Sequence, residues 1–485
     1  MAGDAKLQPR MTNVRARPSA AAIVHATRGR AECTLAQRRW VLVATILAST
    51  ISYVDESVVN VALPTIGRDL AAGPANLQWV INAYTLCLAA FLLVGGAAGD
   101  RFGRRRIFIA GLVLFGAASL GCGLSRDVAQ LVAARAVQGA GAALLIPCSL
   151  AIIGAAFPEA ERGRAIGTWA GFSAVSAAIG PLLGGWIVDH LAWQAIFFIN
   201  PVLGLFAVWI AWRHVPESVD PEAPRGIDWP GALLAFAGLG SLAYGLIALP
   251  DTGFDEASVP ASLAGGALLL ALFVWHEGRT SAPMMPLGLF RSATFSGINA
   301  LTLLLYGALG GAFFLLPFDL ISVHHTSATM AGAVFVPFTV IMAALSRWSG
   351  GLLDRFGARL PLVMGPSIVA AGFGLFALAG PATGYALAFL LPVSVVGLGM
   401  AVTVAPLTTA VIAAVPGHQT GVASGINNAV SSVASLFAIA IFGALALHGA
   451  LADGIRLAMW IAMALSLAAA VCAAATIRPG AAPGR

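Results

Sequence analysis

Residues 99–106 read GDRFGRRR and residues 353–359 read LDRFGAR, so an Asp-Arg-Phe-Gly core occurs twice in this chain of 485 residues. Each copy lies between two long apolar stretches. Hydrophobic residues make up 59% of the sequence and charged residues only 10%, whereas a soluble protein needs about a quarter charged residues to cover its surface. We therefore predict an all-α integral membrane protein whose outer surface faces lipid.

Apolar runs of roughly 18–30 residues alternate with short polar turns, which predicts fourteen transmembrane helices. The repeated turn joins the second and third helices of an early group of six and again of a late group of six. Two such groups in the same orientation are typical of parallel repeats in secondary transporters. The predicted spans are 41–64, 77–98, 106–124, 128–153, 165–188, 195–212, 230–249, 259–276, 294–318, 330–353, 360–379, 384–413, 419–447 and 453–476.

Two helices are inserted between the groups, and we expect them at the edge of the bundle. Residues 1–38 contain no apolar core before a cleavage site, so we interpret them as a disordered tail rather than a signal peptide. The predicted organisation is an N-terminal tail (1–38), a first six-helix bundle (39–213), a linker with the two extra helices (214–293), a second six-helix bundle (294–476) and a C-terminal tail (477–485).

The distribution of Lys and Arg predicts the orientation of the chain. Of the 27 Lys and Arg residues, only Arg68, Arg126 and Arg456 fall in predicted outer loops, and Arg135 and Arg347 lie inside predicted helices. All the others belong to the tails or to predicted inner loops. By the positive-inside rule, both termini are expected in the cytoplasm and the protein in the inner (plasma) membrane.

Composition also excludes several classes of function. Lys6 is the only lysine, and because a P-loop needs a lysine in its glycine-rich turn, we expect no ATP hydrolysis. A Schiff-base cofactor in the membrane would need a lysine amine as well. The five cysteines have no metal-ligand spacing, and the histidines form no catalytic constellation. We expect no metal, no cofactor, no nucleic-acid partner and no enzymatic activity.

The repeated turn, with its flanking glycine and arginines, resembles a signature of the major facilitator superfamily. The match covers about residues 40–476 and favours the fourteen-helix drug/proton antiporter branch, of the EmrB/QacA type. A carboxylate at a helix end accepts from arginine or from a helix N-terminus, and the resemblance implies a latch that stabilises the outward-facing state. Plain anchoring of the arginines at the inner leaflet is the alternative. The predicted latch residues are Gly96, Asp100, Arg101, Gly103, Arg104, Asp354, Arg355 and Gly357.

An acidic pair stands inside the first predicted helix, in the segment SYVDESVVNVALP (52–64). A charge within a bilayer is costly and by default functional. At ~1.5 Å per residue, Asp55 lies about 21 Å along its helix and Arg135 of helix 4 about 10 Å from the outer face, so their depths agree. We predict Asp55 as a proton or cation site. Glu56 is the alternative carrier, and a purely structural ion pair between Asp55 and Arg135 is a third interpretation.

Helix 5 carries Gly180-Pro181-Leu182-Leu183-Gly184-Gly185. Pro181 removes one helical hydrogen bond, and glycines four residues apart let another helix approach closely. The segment resembles the antiporter motif of exporters in the superfamily, although Ser176 stands where that motif usually has a glycine. Residues 198–201, Phe-Ile-Asn-Pro, also match the branch. Further candidates for the coupling site or substrate cavity are Asn60, Gln138, Trp79, Tyr84 and Asn428.

The resemblance implies a proton-coupled antiporter that exports a small amphipathic organic compound by alternating access, with a proton gradient as its energy source. We expect a monomer surrounded by membrane lipids. One alternative is a dedicated exporter of a single endogenous metabolite, such as an antibiotic or a siderophore. Another is a membrane receptor or scaffold that transports nothing. The sequence does not identify the substrate.

Overall fold

A computed structural model describes residues 34–220, 226–379, 383–416, 419–446 and 450–477. Most of the two predicted tails lies outside these ranges. The described chain is helical and contains no strand, which confirms the predicted fold class. Thirteen helices in it are long and apolar enough to cross a membrane.

The helices coincide in order with the fourteen predicted spans. α5 is a helix of 32 residues but is not among the thirteen candidate spans, so the count of fourteen spans stays a prediction. A 3-10 turn at Leu287–Arg291 precedes α9, and π-helical turns follow α9 and precede α12. The helices are α1 Leu35–Asp69, α2 Pro74–Phe102, α3 Arg104–Gly123, α4 Val128–Ala156, α5 Glu159–His190, α6 Ala195–His214, α7 Trp229–Thr252, α8 Ser258–Glu277, α9 Ala293–Phe318, α10a Ala328–Ala333, α10b Val336–Phe356, α11 Arg359–Leu378, α12 Leu391–Ala413, α13 Thr420–Ala446 and α14 Leu451–Thr476.

Local sequence signals fix several helix ends. α1 begins with a capping box, in which Thr34 Oγ1 accepts from Gln37 N at 3.2 Å and Gln37 Oε1 accepts from Thr34 N at 2.9 Å. Pro64 removes a backbone donor near the outer end of α1, yet the helix continues to Asp69. Between α2 and α3, Gly103 has φ +109°, a conformation that side chains disfavour. The first GDRFG-like turn therefore depends on its glycine.

The inserted helices α7 and α8 lie beside the seam between the two six-helix groups. α7 packs against α2 of the first group and α13 of the second, while α8 packs mainly against α7. Phe236 of α7 stacks on Phe91 of α2 with ring centroids 5.6 Å apart. The pair is thus peripheral, as the sequence predicted, but its first helix contacts both groups.

The two six-helix groups meet closely where the C-terminal end of α5 reaches α10a. A Cβ atom at Gly185 would lie 2.2 Å from the carbonyl oxygen of Ala328, and one at Gly332 would lie 2.0 Å from that of Pro181. Further along α5 toward its predicted inner end, Cβ atoms at 163, 167 and 171 would meet no atom within 4 Å. α5 and α10a are therefore in tight contact at Gly185 and Gly332, whereas Gly163, Gly167 and Gly171 have open space beside them.

Gly185→Ala tests this outer contact. Because the added methyl would collide with the Ala328 carbonyl, we expect a loss of about 1–3 kcal/mol in the free energy of unfolding, the usual cost of overpacking. Denaturant unfolding in detergent measures it. Gly167→Ala has open space and serves as the control, so an equal loss in both variants would contradict the contact.

Candidate functional site

Asp55 lies inside the first six-helix group, with 2% of its surface exposed. Arg135 Nη1 donates to its Oδ2 atom. Its Oδ1 atom accepts from Gln138 Nε2 at 2.9 Å and from Asn200 Nδ2 at 2.6 Å. The structure therefore brings together Asp55 and Arg135, whose depths agree in the sequence, and adds amide donors from α4 and α6.

Several further contacts hold the Arg135 side chain in place. Its guanidinium also donates to Gln138 Oε1 at 2.6 Å and, through Nε, to the Val80 carbonyl at 3.2 Å. The Tyr84 ring lies beneath it, with its centroid 4.3 Å from Cζ, an arrangement that stabilises a desolvated cation. A buried ion pair is tolerated when further hydrogen bonds satisfy its remaining groups, and this pair meets that condition.

Asn200 is the site residue whose role the sequence analysis missed. Its Nδ2 atom also donates to Ser119 Oγ at 3.0 Å, and Ser119 donates to the Phe197 carbonyl at 2.9 Å. An amide side chain within the apolar α6, beside Pro201, was a signal for a buried polar contact. Ser119 carried no such signal, because serine is common in transmembrane helices.

Glu56 lies on a different face of α1 and is only partly buried. Its carboxyl group has no hydrogen bond or ion pair with any described residue. Tyr53, one turn earlier, lies near Glu56 and near Tyr306 of α9, so this face of α1 is directed toward the second six-helix group. Asn60 follows one turn later, donates to the Glu56 carbonyl at 3.2 Å and leaves its own Oδ1 buried without a partner.

The glycines of the α5 motif lie against the α1 turn that carries Glu56. A Cβ at Gly180 would lie 1.8 Å from Ser57 Oγ, and one at Gly184 would lie 3.0 Å from Val58 Cα. Gly185 faces α10a instead. Ser176, the departure from the motif, places its Oγ 2.8 Å from Thr50 Oγ1. One short segment of α5 thus contacts both α1 and the second six-helix group.

Residues of the first predicted latch contact one another and the segment that follows α6. Arg104 Nε donates to Asp100 Oδ1 at 2.8 Å. The backbone N–H of Arg105 donates to Glu217 Oε1 at 3.0 Å, and a Cβ at Gly103 would lie 2.8 Å from that carboxyl group. The sequence analysis did not identify Glu217, which follows α6. Arg101 is exposed and its guanidinium lies 5.1 Å from the centroid of the neighbouring Phe102 ring.

The remaining predicted latch residues are placed only in part. Gly96 leaves room for ordinary van der Waals contact, because a Cβ atom added there would lie 3.5 Å from Pro147 Cβ. Gly357 has φ +68° and so forms a glycine-dependent turn like that of Gly103. The side chains of Asp354 and Arg355 lie outside the described part of the chain, and their role stays a prediction.

The substrate-cavity candidates have different surroundings. Trp79 packs against an apolar cluster of α2, α7 and α13 that includes Leu86 and Leu436. Tyr84 is fully buried beneath Arg135. Asn428 is exposed, and no hydrogen bond to its side chain is present among the described residues. In this conformation the two aromatic side chains contribute to packing, and their contact with a substrate stays a prediction.

Two adjoining cavities lie between the C-terminal end of α1 and the segment that joins α9 to α10a. They have volumes of about 470 and 370 Å³ and share Arg68, Ile321 and His325 in their walls. The described residues contain no group of three or more His, Cys, Asp or Glu side chains that could hold a metal ion.

The chain is similar in sequence to known export proteins. Residues 45–439 match the model of the Major Facilitator Superfamily. Multidrug resistance protein Stp of Mycobacterium tuberculosis (strain ATCC 25618 / H37Rv) is 36% identical over 83% of this chain and 74% of its own length. The tetracenomycin C resistance and export protein of Streptomyces glaucescens is 34% identical over 84% and 76%. Cephamycin export protein CmcT of Amycolatopsis lactamdurans is 35% identical over 82% and 83%.

Solved structures share the fold at low sequence identity. The inward open conformation of the xylose transporter XylE from E. coli superposes with a TM-score of 0.65 at 15% identity, covering 91% of this chain and 96% of that one. A POT family transporter in complex with 5-aminolevulinic acid gives a TM-score of 0.68 at 12% identity, with 90% and 96% covered. These likenesses concern the arrangement of helices alone.

The buried ion pair predicts strong coupling between its members. Asp55→Asn or Arg135→Gln alone leaves one uncompensated buried charge, so each should lower the free energy of unfolding by about 3–5 kcal/mol. The double variant removes both charges and should recover much of that loss. A double-mutant cycle from denaturant unfolding in detergent measures the coupling, and additive losses would contradict the geometry.

Proposed function

We propose that this chain, which belongs to the major facilitator superfamily, is a proton-coupled exporter of amphipathic organic compounds. Relatives named for multidrug resistance and for the export of single antibiotics support this function. The protein is a multi-pass membrane protein. Its place in the plasma membrane, with both termini in the cytoplasm, is part of the proposal and follows from the distribution of arginine.

The observation that carries the proposal is the contrast between two adjacent carboxyl groups. Both oxygens of Asp55 already accept hydrogen bonds, from Arg135, Gln138 and Asn200. A proton that bound Asp55 would therefore displace a donor from a buried site. No described residue donates a hydrogen bond to the Glu56 carboxyl group, so a proton can bind there without displacing one. Of the two alternatives left open by the sequence, we propose Glu56 as the residue that binds and releases the proton.

Asp55 then has a positioning role. Its hydrogen bonds join α1 to α4 and α6, so they fix the rotation of α1 about its axis. Because successive helical residues point about 100° apart, fixing Asp55 toward the bundle interior turns Glu56 toward the second six-helix group. The ion pair thus orients the proton carrier without carrying the proton itself.

In the proposed transport cycle, the exported compound and a proton bind alternately at the face of α1 that carries Glu56. With the outer α5–α10 contact closed, an amphipathic compound enters between the six-helix groups from the inner side. Its binding near Tyr53 and Tyr306 excludes the proton from Glu56. When the groups rock to the outward-facing state, the compound leaves and Glu56 takes a proton from outside. Because Gly180 and Gly184 pack closely against α1, the segment of α5 that contacts α10a moves together with the helix that carries Glu56.

A narrower second candidate is a dedicated exporter of one antibiotic. It is favoured by relatives whose names specify a single compound, tetracenomycin C or cephamycin. Susceptibility profiling against unrelated toxic compounds separates the two functions. A dedicated exporter protects its host against one chemical class, whereas a multidrug exporter protects against several.

The proposal predicts the phenotype of Glu56→Gln in proteoliposomes. An imposed pH gradient should drive substrate accumulation by the wild-type protein, and the variant should fall to the level of empty liposomes. Substrate exchange without a gradient should persist, because the cavity remains. Asp69→Asn, an exposed acid at the outer end of α1, is the matched control. Gradient-driven accumulation by Glu56→Gln would exclude Glu56 as the carrier.

A further inference from the structure

A second pair of carboxyl groups lies far from Asp55, where the inserted helices end. Asp228 precedes α7 and caps it, since its Oδ1 accepts from Gly231 N at 2.9 Å. Glu277 is the last residue of α8, and its Oε2 accepts from Met285 N at 3.0 Å. The two side chains belong to opposite ends of the α7–α8 sequence but meet at one end of the folded pair.

Both acids are almost completely removed from solvent. Glu277 is 3% exposed, and the Asp228 side chain is 4% exposed. The remaining oxygens, Asp228 Oδ2 and Glu277 Oε1, are buried and receive no N–H or O–H donor from any described residue. Buried polar atoms without a partner are costly and call for an explanation.

The unpartnered oxygens face the same point. A Cβ atom at Gly231 would lie 2.6 Å from Asp228 Oδ2 and 2.9 Å from Glu277 Oε1, and the two carboxyl groups are within hydrogen-bonding range of each other. Gly231 leaves the space that lets them converge. Two ionised carboxylates in contact repel, whereas a carboxyl and a carboxylate attract through a shared proton.

Few other charged or titratable side chains among the described residues lie near this point. His276 Nε2 lies 2.8 Å from Asp228 Oδ1, the oxygen on the far side of the pair. The guanidinium of Arg279 lies over the Trp275 ring, 4.4 Å from its centroid. Asp228 and His276 are the titratable side chains near Glu277 among the described residues. None of these supplies a donor to the two facing oxygens.

We propose that Asp228 and Glu277 share one proton and form a proton-binding site that fastens the segment after α8. The clamp joins the start of α7, the end of α8 and the backbone at Met285, from which the chain continues to α9 of the second six-helix group. Its proton is distinct from the transported one, because the site lies outside the two six-helix groups and the proposed function does not use it.

The direction of the pH effect follows from the charge balance. At low pH the pair holds its proton and the clamp is closed. As the pH rises and the proton leaves, two like charges remain in contact in a buried place, and the clamp opens. A group that binds its proton more tightly when folded contributes stability that is lost with rising pH. The segment after α8 should therefore loosen in alkaline solution.

Hydrogen–deuterium exchange on the full chain in lipid nanodiscs tests this site between pH 6 and pH 9. After correction for intrinsic exchange, peptides covering 278–286 should exchange faster with rising pH, by up to about tenfold per pH unit, the limit for one linked proton. Glu277→Gln replaces the shared proton by an amide donor and should make protection independent of pH. Asp228→Asn does the same from the other side, should Glu277→Gln fold poorly.

Three controls make the test decisive. Glu256→Gln changes an exposed acid at the opposite end of the pair and should keep the wild-type profile. His276→Gln should also keep it, and a flat profile in that variant would assign the effect to histidine and overturn the proposal. Added Na⁺ or Mg²⁺ should not restore protection at pH 9, since restoration would mean that the site holds a cation. A wild-type profile without pH dependence would overturn the proposal as well.

Discussion

The arrangement of the first six-helix group depends on one buried ion pair. Asp55 and Arg135 are each almost fully removed from solvent, where an isolated charge would be strongly unfavourable. Two amide donors and an aromatic ring complete their coordination. Because the three helices α1, α4 and α6 all contribute to this cluster, their mutual rotation is fixed by polar contacts in a bundle that has little other means of specifying it.

The buried ion pair gives Asp55 and Glu56 different surroundings, whereas the sequence alone could not distinguish their roles. Asp55 is directed into the bundle and its oxygens accept hydrogen bonds, while Glu56 is directed toward the second six-helix group and its carboxyl group has no hydrogen-bond partner among the described residues. Gly180 and Gly184 of α5 pack against the same turn of α1, and the neighbouring Gly185 contacts α10a. The proposed proton carrier, Glu56, and the contact between α5 and α10a therefore lie close to one short region of α1 and α5.

The sequence predicts features that follow from the depth of a residue along its helix. It does not predict those that follow from the rotation of a helix about its axis. The similar depth of Asp55 and Arg135 follows from a constant rise per residue, so their meeting could be anticipated. Which side of α1 faces Asn200 depends on packing between helices distant in sequence, and this was not predictable. The Glu217 contact was missed for a related reason, because it joins the first latch to a loop. Gly180 and Gly184 were predicted to allow the close approach of another helix, but the identity of that helix, α1, required the fold.

In the proposed cycle, Asp55 stays paired while Glu56 exchanges the proton. Infrared difference spectroscopy on the protein in nanodiscs, triggered by addition of a transported compound, measures it directly. The account predicts loss of a protonated-carboxyl band in the wild-type protein and no such change in Glu56→Gln. A band of undiminished amplitude in Glu56→Gln would contradict the account, because the proton displaced by the compound would then belong to another carboxyl group.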